Sequence, residues 1–172
     1  LNMMLYFIVK SKLYKKDFIE NRTEGFEKFF EHINSLDIDH LAKVAGVDKQ
    51  EVKEAAIAYA TANNSMEFHG LGVTEHEQGS KTVMLIADLA MITGNIGRKG
   101  VGVNPLRGQN NVQGAADMGC QPHQGAGYFP VADQKIQDFY TEKYGVVHPT
   151  KAGLKIPEIF DAAINREVKG LW

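Results

Sequence analysis

The chain has 172 residues, 44% hydrophobic and 23% charged, which suits a globular protein with one core or one and a half. A formal charge of −2 excludes a non-specific nucleic-acid binder, because there is no basic excess to displace counterions, and the four lysines between Lys10 and Lys16 have only Tyr14 as a stacking platform. A single cysteine, Cys120, excludes an intramolecular disulfide and any iron–sulfur cluster or structural zinc held by this segment alone.

In chain order, Met3 to Val9 is an apolar run too short to span a bilayer and without the basic lead-in of a signal peptide, so direct membrane insertion is not expected. Leu1, Met4, Leu5 and Ile8 fall on one helical face, and Phe26, Phe29, Phe30 and Ile33 repeat the pattern, both as core-packing stripes. A third helical segment, Ile38 to Val44, runs to Gly46 as its C′ glycine. Asp48 and Glu51 stand three apart as a capping box, opening a helix with Val52, Ala55, Ala56, Tyr59 and Ala60 on one face and Asn63-Asn64 as its stop.

Met66-Glu67-Phe68-His69 alternates and predicts a strand running into the loop Gly70-Leu71-Gly72-Val73-Thr74-Glu75. From Gly79 to Thr93 the chain is apolar almost all round, which predicts a buried helix ended by Gly94-Asn95. Nine of the 17 glycines then fall between Gly94 and Gly127 (Gly94, Gly97, Gly100, Gly102, Gly108, Gly114, Gly119, Gly125 and Gly127), the composition of a long functional loop. Helices over Asp133–Tyr144 and Ile156–Ile164 follow, and Lys169 to Trp172 reads as a strand being entered. This order is that of a layered, helix-rich α/β fold, helix–sheet–helix, in which small-molecule sites lie where loops leave the strands. The apolar ends, Leu1 and Leu171-Trp172, are expected to be cuts through a longer polypeptide.

Three motifs fail their tests. The G-x-G after the strand meets Glu75 where a dinucleotide fingerprint needs its third glycine. His76-Glu77 begins like a zincin helix, but Ser80 occupies the second histidine position, and the six histidines have no ligand spacing, so no metal bound solely by this chain is expected. Cys120 has only His123 near it in sequence and reads as a buried or bystander thiol. Asn104 to Asn111 differs in kind: Gly100, Gly102 and Gly108 allow close backbone approach, Pro105 stiffens it, and Arg107 stands among the amides Gln109, Asn110, Asn111 and Gln113. Arginine's planar fork suits a carboxylate, carboxamides suit heterocycle edges, and a helix beginning near Asn111 would favour an anion. On chemistry alone a ligand-facing loop and a solvated loop with capping amides both stay open.

Gly70-Leu71-Gly72-Val73-Thr74, the run Leu89 to Arg98 and above all Gly102 to Ala115, continued by Asp117-Met118-Gly119 and Gly127-Tyr128, resemble the formate dehydrogenase branch of the molybdopterin oxidoreductases. Leu13 to Ile19 and Arg22 to Phe26 extend the likeness to nearly the whole chain. The resemblance implies an internal fragment of a formate dehydrogenase catalytic subunit, inactive alone, whose parent oxidises formate to carbon dioxide. The cofactor implied is molybdenum or tungsten bound by two molybdopterin guanine dinucleotides, with a [4Fe-4S] cluster elsewhere in the subunit. The family's catalytic arginine falls on Arg107, and its cofactor contacts fall on Gly70, Leu71, Glu75, Gly108 and Gln109. Glu75 stands where the family commonly has glutamine, and Ala116 where a cysteine is frequent. The implied partners are formate, the remainder of the catalytic subunit and electron-transfer subunits, in the cytoplasm or, alternatively, the periplasm. The implied division is residues 1–109 as part of one α/β cofactor-binding domain and 110–172 as the start of a second. Another molybdopterin oxidoreductase, or a non-catalytic interaction module derived from the family, is the alternative.

Overall fold

A computed structural model describes all 172 residues, in two compact units, 1–108 and 109–172. The first unit runs α1 (Asn2–Lys10), α2 (Lys16–Arg22), α3 (Phe26–Asn34), α4 (Ile38–Ala45), α5 (Lys49–Thr61), β1 (Met66–His69), α6 (Leu71–Thr74), α7 (Gly79–Ile92) and β2 (Gly102–Pro105). β1 and β2 pair in parallel, Met66 opposite Gly102 and His69 opposite Pro105, and such a pair needs a crossover, which α6 and α7 supply.

The core forms around α1, whose Leu5, Ile8 and Val9 meet Ile19 of α2, Ile33 of α3, Ala56 and Ala60 of α5, and Leu89 and Ile92 of α7. Because α3, α4, α5 and α7 all pack on α1, its buried arc is wide and takes in Met3 and Val9, while Leu1 stays exposed and Met4 is only partly covered. Of the aromatic stripe on α3, Ile33 is fully buried, Phe26 is half-buried between Tyr14 and the half-buried Phe29, and Phe30 lies at the surface.

Helix ends follow the residues that specify them. Gly46 closes α4 in the left-handed conformation at φ 66°, and the Asp48 carboxylate accepts from the amides of Gln50 at 2.8 Å and Glu51 at 3.0 Å to open α5. On α5, Ala56 and Ala60 are buried, but Ala55 faces solvent. The expected loop after β1 is instead the single turn α6. Only glycine fits at the start of α7, where a Cβ on Gly79 would lie 2.2 Å from the Thr74 carbonyl oxygen. α7 buries Ile86, Leu89, Ala90 and Ile92 but leaves Met84 65% exposed, so it is covered on one flank and not all round.

The second unit holds α8 (Val112–Asp117), a 3-10 turn (Ala126–Tyr128), α9 (Gln134–Tyr144) and α10 (Ile156–Ile164). The glycine-rich stretch is therefore not one loop, since β2, α8 and the turn all form within it. Asp133 caps α9, and Gly145 ends it at φ 70°. The buried Gln137 amide donates to the carbonyls of Val131 and, at 2.6 Å, of Pro149, and the Tyr140 hydroxyl donates to the Ala126 carbonyl at 2.6 Å. These bonds tie loops to α9 in a unit whose only strand pairing is the isolated bridge Gln124–Pro130. Lys169 to Trp172 forms no strand, having no partner to pair with.

Candidate functional site

The two strands end side by side. One residue past β2, the Leu106 amide donates to the His69 carbonyl at 2.6 Å and extends the ladder to the last residue before Arg107. A Cβ on Gly70 would approach the Leu106 carbonyl oxygen to 3.3 Å, and one on Gly108 would approach Leu71 Cδ1 to 3.1 Å. The two strand tips are thus closely packed at both glycines, which brings Gly70, Leu71, Arg107 and Gly108 together. Arg107 is exposed at this tip. The protein's ion pairs are Lys16–Glu20, Lys49–Asp39 and Lys143–Glu142, so the Arg107 fork is left without a carboxylate of its own.

The row of amides divides. Asn104 Nδ2 donates to the carbonyls of Glu67 at 3.0 Å and Gly102 at 3.2 Å, strapping β2 to β1. Asn111 Oδ1 accepts from the Gly114 amide at 3.0 Å, so this side chain is the N-cap of α8. Gln113 Nε2 donates to Asp117 at 2.9 Å and to the Tyr128 hydroxyl at 2.6 Å, and that hydroxyl donates to Asp117 at 2.7 Å. The Tyr128 bond, with that of Gln113, holds the Asp117 carboxyl below its ordinary value. Gln109 and Asn110, both exposed, remain outside these bonds at the start of the second unit. Glu75 caps the C-terminal end of α6, its amide donating to the Leu71 carbonyl at 2.9 Å, and its side chain is exposed.

Two groups beneath the strand tips stand out only in three dimensions. His69 is 8% exposed, and its Nδ1 is buried without a partner. Glu67 accepts from the Tyr59 hydroxyl through one carboxyl oxygen and keeps the other buried and unpartnered. Burial pushes the Glu67 carboxyl up against the opposing effect of that bond, and burial together with the Glu67 bond pushes the Tyr59 phenol up. The strand's alternation signals one inward face but not which, and here the polar members point inward. No three His, Cys, Asp or Glu side chains converge as a metal site, and Cys120 is exposed.

The family model described as molybdopterin oxidoreductase matches residues 1–171. The chain belongs to the molybdopterin oxidoreductase family. Among members of this family, it is 44% identical over 176 residues to the alpha subunit of a formate dehydrogenase of Methanocaldococcus jannaschii, covering 100% of this chain and 25% of that protein. It is 39% identical over 173 residues to formate dehydrogenase H of Escherichia coli, covering 100% and 24%, and 38% identical over 172 residues to a formate dehydrogenase alpha subunit of Methanococcus maripaludis, covering 100% and 25%. This molybdopterin oxidoreductase chain thus spans about a quarter of the length of the curated relatives it matches. Its small parallel sheet among helices accords with an α/β domain of the family. No helix is long and apolar enough to cross a membrane.

Proposed function

We propose that this chain is part of the catalytic subunit of a formate dehydrogenase, in which Arg107 receives the substrate carboxylate. The observation that carries the reading is an exposed guanidinium with no acidic partner, flanked by the close contacts at Gly70 and Gly108 at the tips of a parallel strand pair. A planar fork in that position takes formate bidentately, balances its charge and leaves the C–H bond directed away from the arginine. The formate dehydrogenases among its relatives support the same substrate.

The residues at the tip suit a pterin dinucleotide of molybdenum or tungsten. Gly70 and Gly108 keep the backbone open for close approach, and Leu71 offers an exposed apolar edge. Gln109, the first residue of the second unit, is proposed as a cofactor contact on its own chemistry, an exposed carboxamide that donates and accepts. Glu75 can accept from a ring N–H but would repel a phosphate, which assigns it to the heterocycle and not to the diphosphate. When bound, the metal–pterin group supplies the two-electron redox chemistry. The residues of this chain bind and orient, and the metal ligand, a [4Fe-4S] cluster and the contacts to electron-transfer subunits belong to other segments, so the isolated chain is inactive.

In the full-length subunit, Arg107→Met should lower kcat/KM for formate by about 10²–10³-fold, the scale of losing one preorganised charged donor. Metal and pterin content should stay at the wild-type level, since the substitution removes a substrate contact. Unchanged formate turnover in that variant would remove Arg107 from the role.

A further inference from the structure

A groove of about 620 Å³ lies between α2 and α3 and shares no lining residue with the strand tips. Its floor is aromatic. The Phe26 ring lies 5.5 Å from that of Tyr14 and 5.8 Å from that of Phe30, and Phe30 stays 38% exposed. Its sides are acidic, with Glu20 on α2 and Glu27 and Glu31 on α3. Glu20 pairs with Lys16 at 3.5 Å. Glu27 and Glu31 have no ion pair, the protein's other pairs being Lys49–Asp39 and Lys143–Glu142. Nor does a cation of this chain lie over the rings of the groove, since its cation–π contacts are those of Lys10 with Tyr6 and Lys143 with Phe139.

Two features of α3 are thus left uncompensated. Glu27 and Glu31 stand at i and i+4, where like charges repel and weaken a helix. Phe30 beside them holds an apolar ring in water. A cation with a flat apolar face removes both defects. We infer that the groove receives an arginine side chain from another protein chain. A planar guanidinium stacks on a ring face, and its fork reaches two carboxylates at once, whereas an ammonium is a point charge. Four helical residues advance about 6 Å, so the two carboxylates flank a single guanidinium. The carrier is a peptide and not a free amino acid, because an α-carboxylate would meet the acidic rim, whose one cation, Lys16, is taken by Glu20. The make-up of the groove decides for a separate chain. Surfaces that a polypeptide folds permanently against itself shed their charges. A half-buried aromatic centre within an exposed charged rim is instead the anatomy of association between chains, where aromatic residues and arginine carry most of the energy. The acidic rim also steers a basic segment toward it.

Fluorine NMR of a trifluoroacetyl-Ala-Arg-Ala-amide peptide mixed with the full-length subunit tests this. The peptide signal should shift saturably, the lysine analogue should bind several-fold more weakly, and the uncharged citrulline analogue should not bind. Glu27→Gln combined with Glu31→Gln should weaken binding of the arginine peptide about tenfold, as loss of one charge-assisted hydrogen bond does. That double variant should melt no lower than the wild type, which separates lost binding from lost folding. Phe30→Ala should weaken binding as well. No saturable binding at millimolar arginine peptide overturns the proposal. So does equal binding to the double variant, or equal binding of the citrulline peptide.

Discussion

Glu67 is a carboxylate that the first unit holds half out of water, with one oxygen bonded to Tyr59 and the other without a partner. Burial raises its folded-state pKa above the ordinary value of 4.5. The folded chain therefore keeps the Glu67 proton to higher pH than the unfolded chain does. Ionisation at this position costs stability above the folded pKa, and the cost fades as pH falls toward 4.5. Glu67→Gln keeps an acceptor for the Tyr59 hydroxyl and removes the charge. It should leave β1 at least as stable near neutral pH and abolish this part of the gain on acidification. Tyr59→Phe should do the reverse at neutral pH, costing about 1 kcal/mol by leaving a half-buried carboxylate without its donor. Hydrogen exchange of the β1 amides, followed from neutral pH to the ordinary carboxylate value, reads both effects. A Glu67→Gln protein with the wild-type pH slope would rule out this account. Sterics set the second residue-scale prediction: Gly79→Ala places a Cβ against the Thr74 backbone, and the strain should cost about 1–3 kcal/mol, measured as a lowered melting temperature.

At the scale of elements, what is legible in the sequence is whatever carries its own punctuation. Gly46 and Asp48 mark the junction of α4 and α5 because a left-handed glycine and a capping carboxylate act locally, and the ends of α10 match the periodic run Ile156–Ile164. β2 was not legible: Gly102-Val103-Asn104-Pro105 has neither alternation nor strand propensity and exists because β1 and the Asn104 amide hold it. Nor was the outward face of β1, since alternation fixes two faces without choosing between them. At the site, Arg107 stands out in the sequence as the one guanidinium in the amide-rich run from Asn104 to Gln113. The amides do not sort themselves, because the same side chain caps a helix or meets a ligand depending on which backbone N–H comes near. Asn111 belongs to the first kind. Asn111→Ala should cost α8 about 1 kcal/mol and speed exchange of the Gly114 amide, whereas Asn111→Asp should preserve the cap. Equal exchange in both variants would show that the cap contributes nothing.

At the scale of the molecule, the two units differ in what they bury. The first has a continuous core drawn from five helices, with Leu5, Ile8, Ile33 and Ala56 fully inaccessible. The second buries only Gln137, Tyr140 and Ala162, and leaves Val146, Val147, Ile156, Phe160 and Ile164 in solvent. Its order rests on hydrogen bonds to loops, from Gln137 to the Val131 and Pro149 carbonyls and from Tyr140 to the Ala126 carbonyl. Each such bond contributes only about 0.5–1.5 kcal/mol net, while ordering each residue costs about 1–2 kcal/mol in backbone entropy. Domains this small are marginal even with a good core, and this one has no disulfide, Cys120 being free. Produced separately, residues 1–108 should therefore melt cooperatively, and Ile33→Ala should lower that stability by about 2–5 kcal/mol. Residues 109–172 alone should show neither a cooperative melt by circular dichroism nor dispersed amide resonances. A sharp thermal transition in the isolated 109–172 segment would mean that its hydrogen-bonded loops suffice without a larger core.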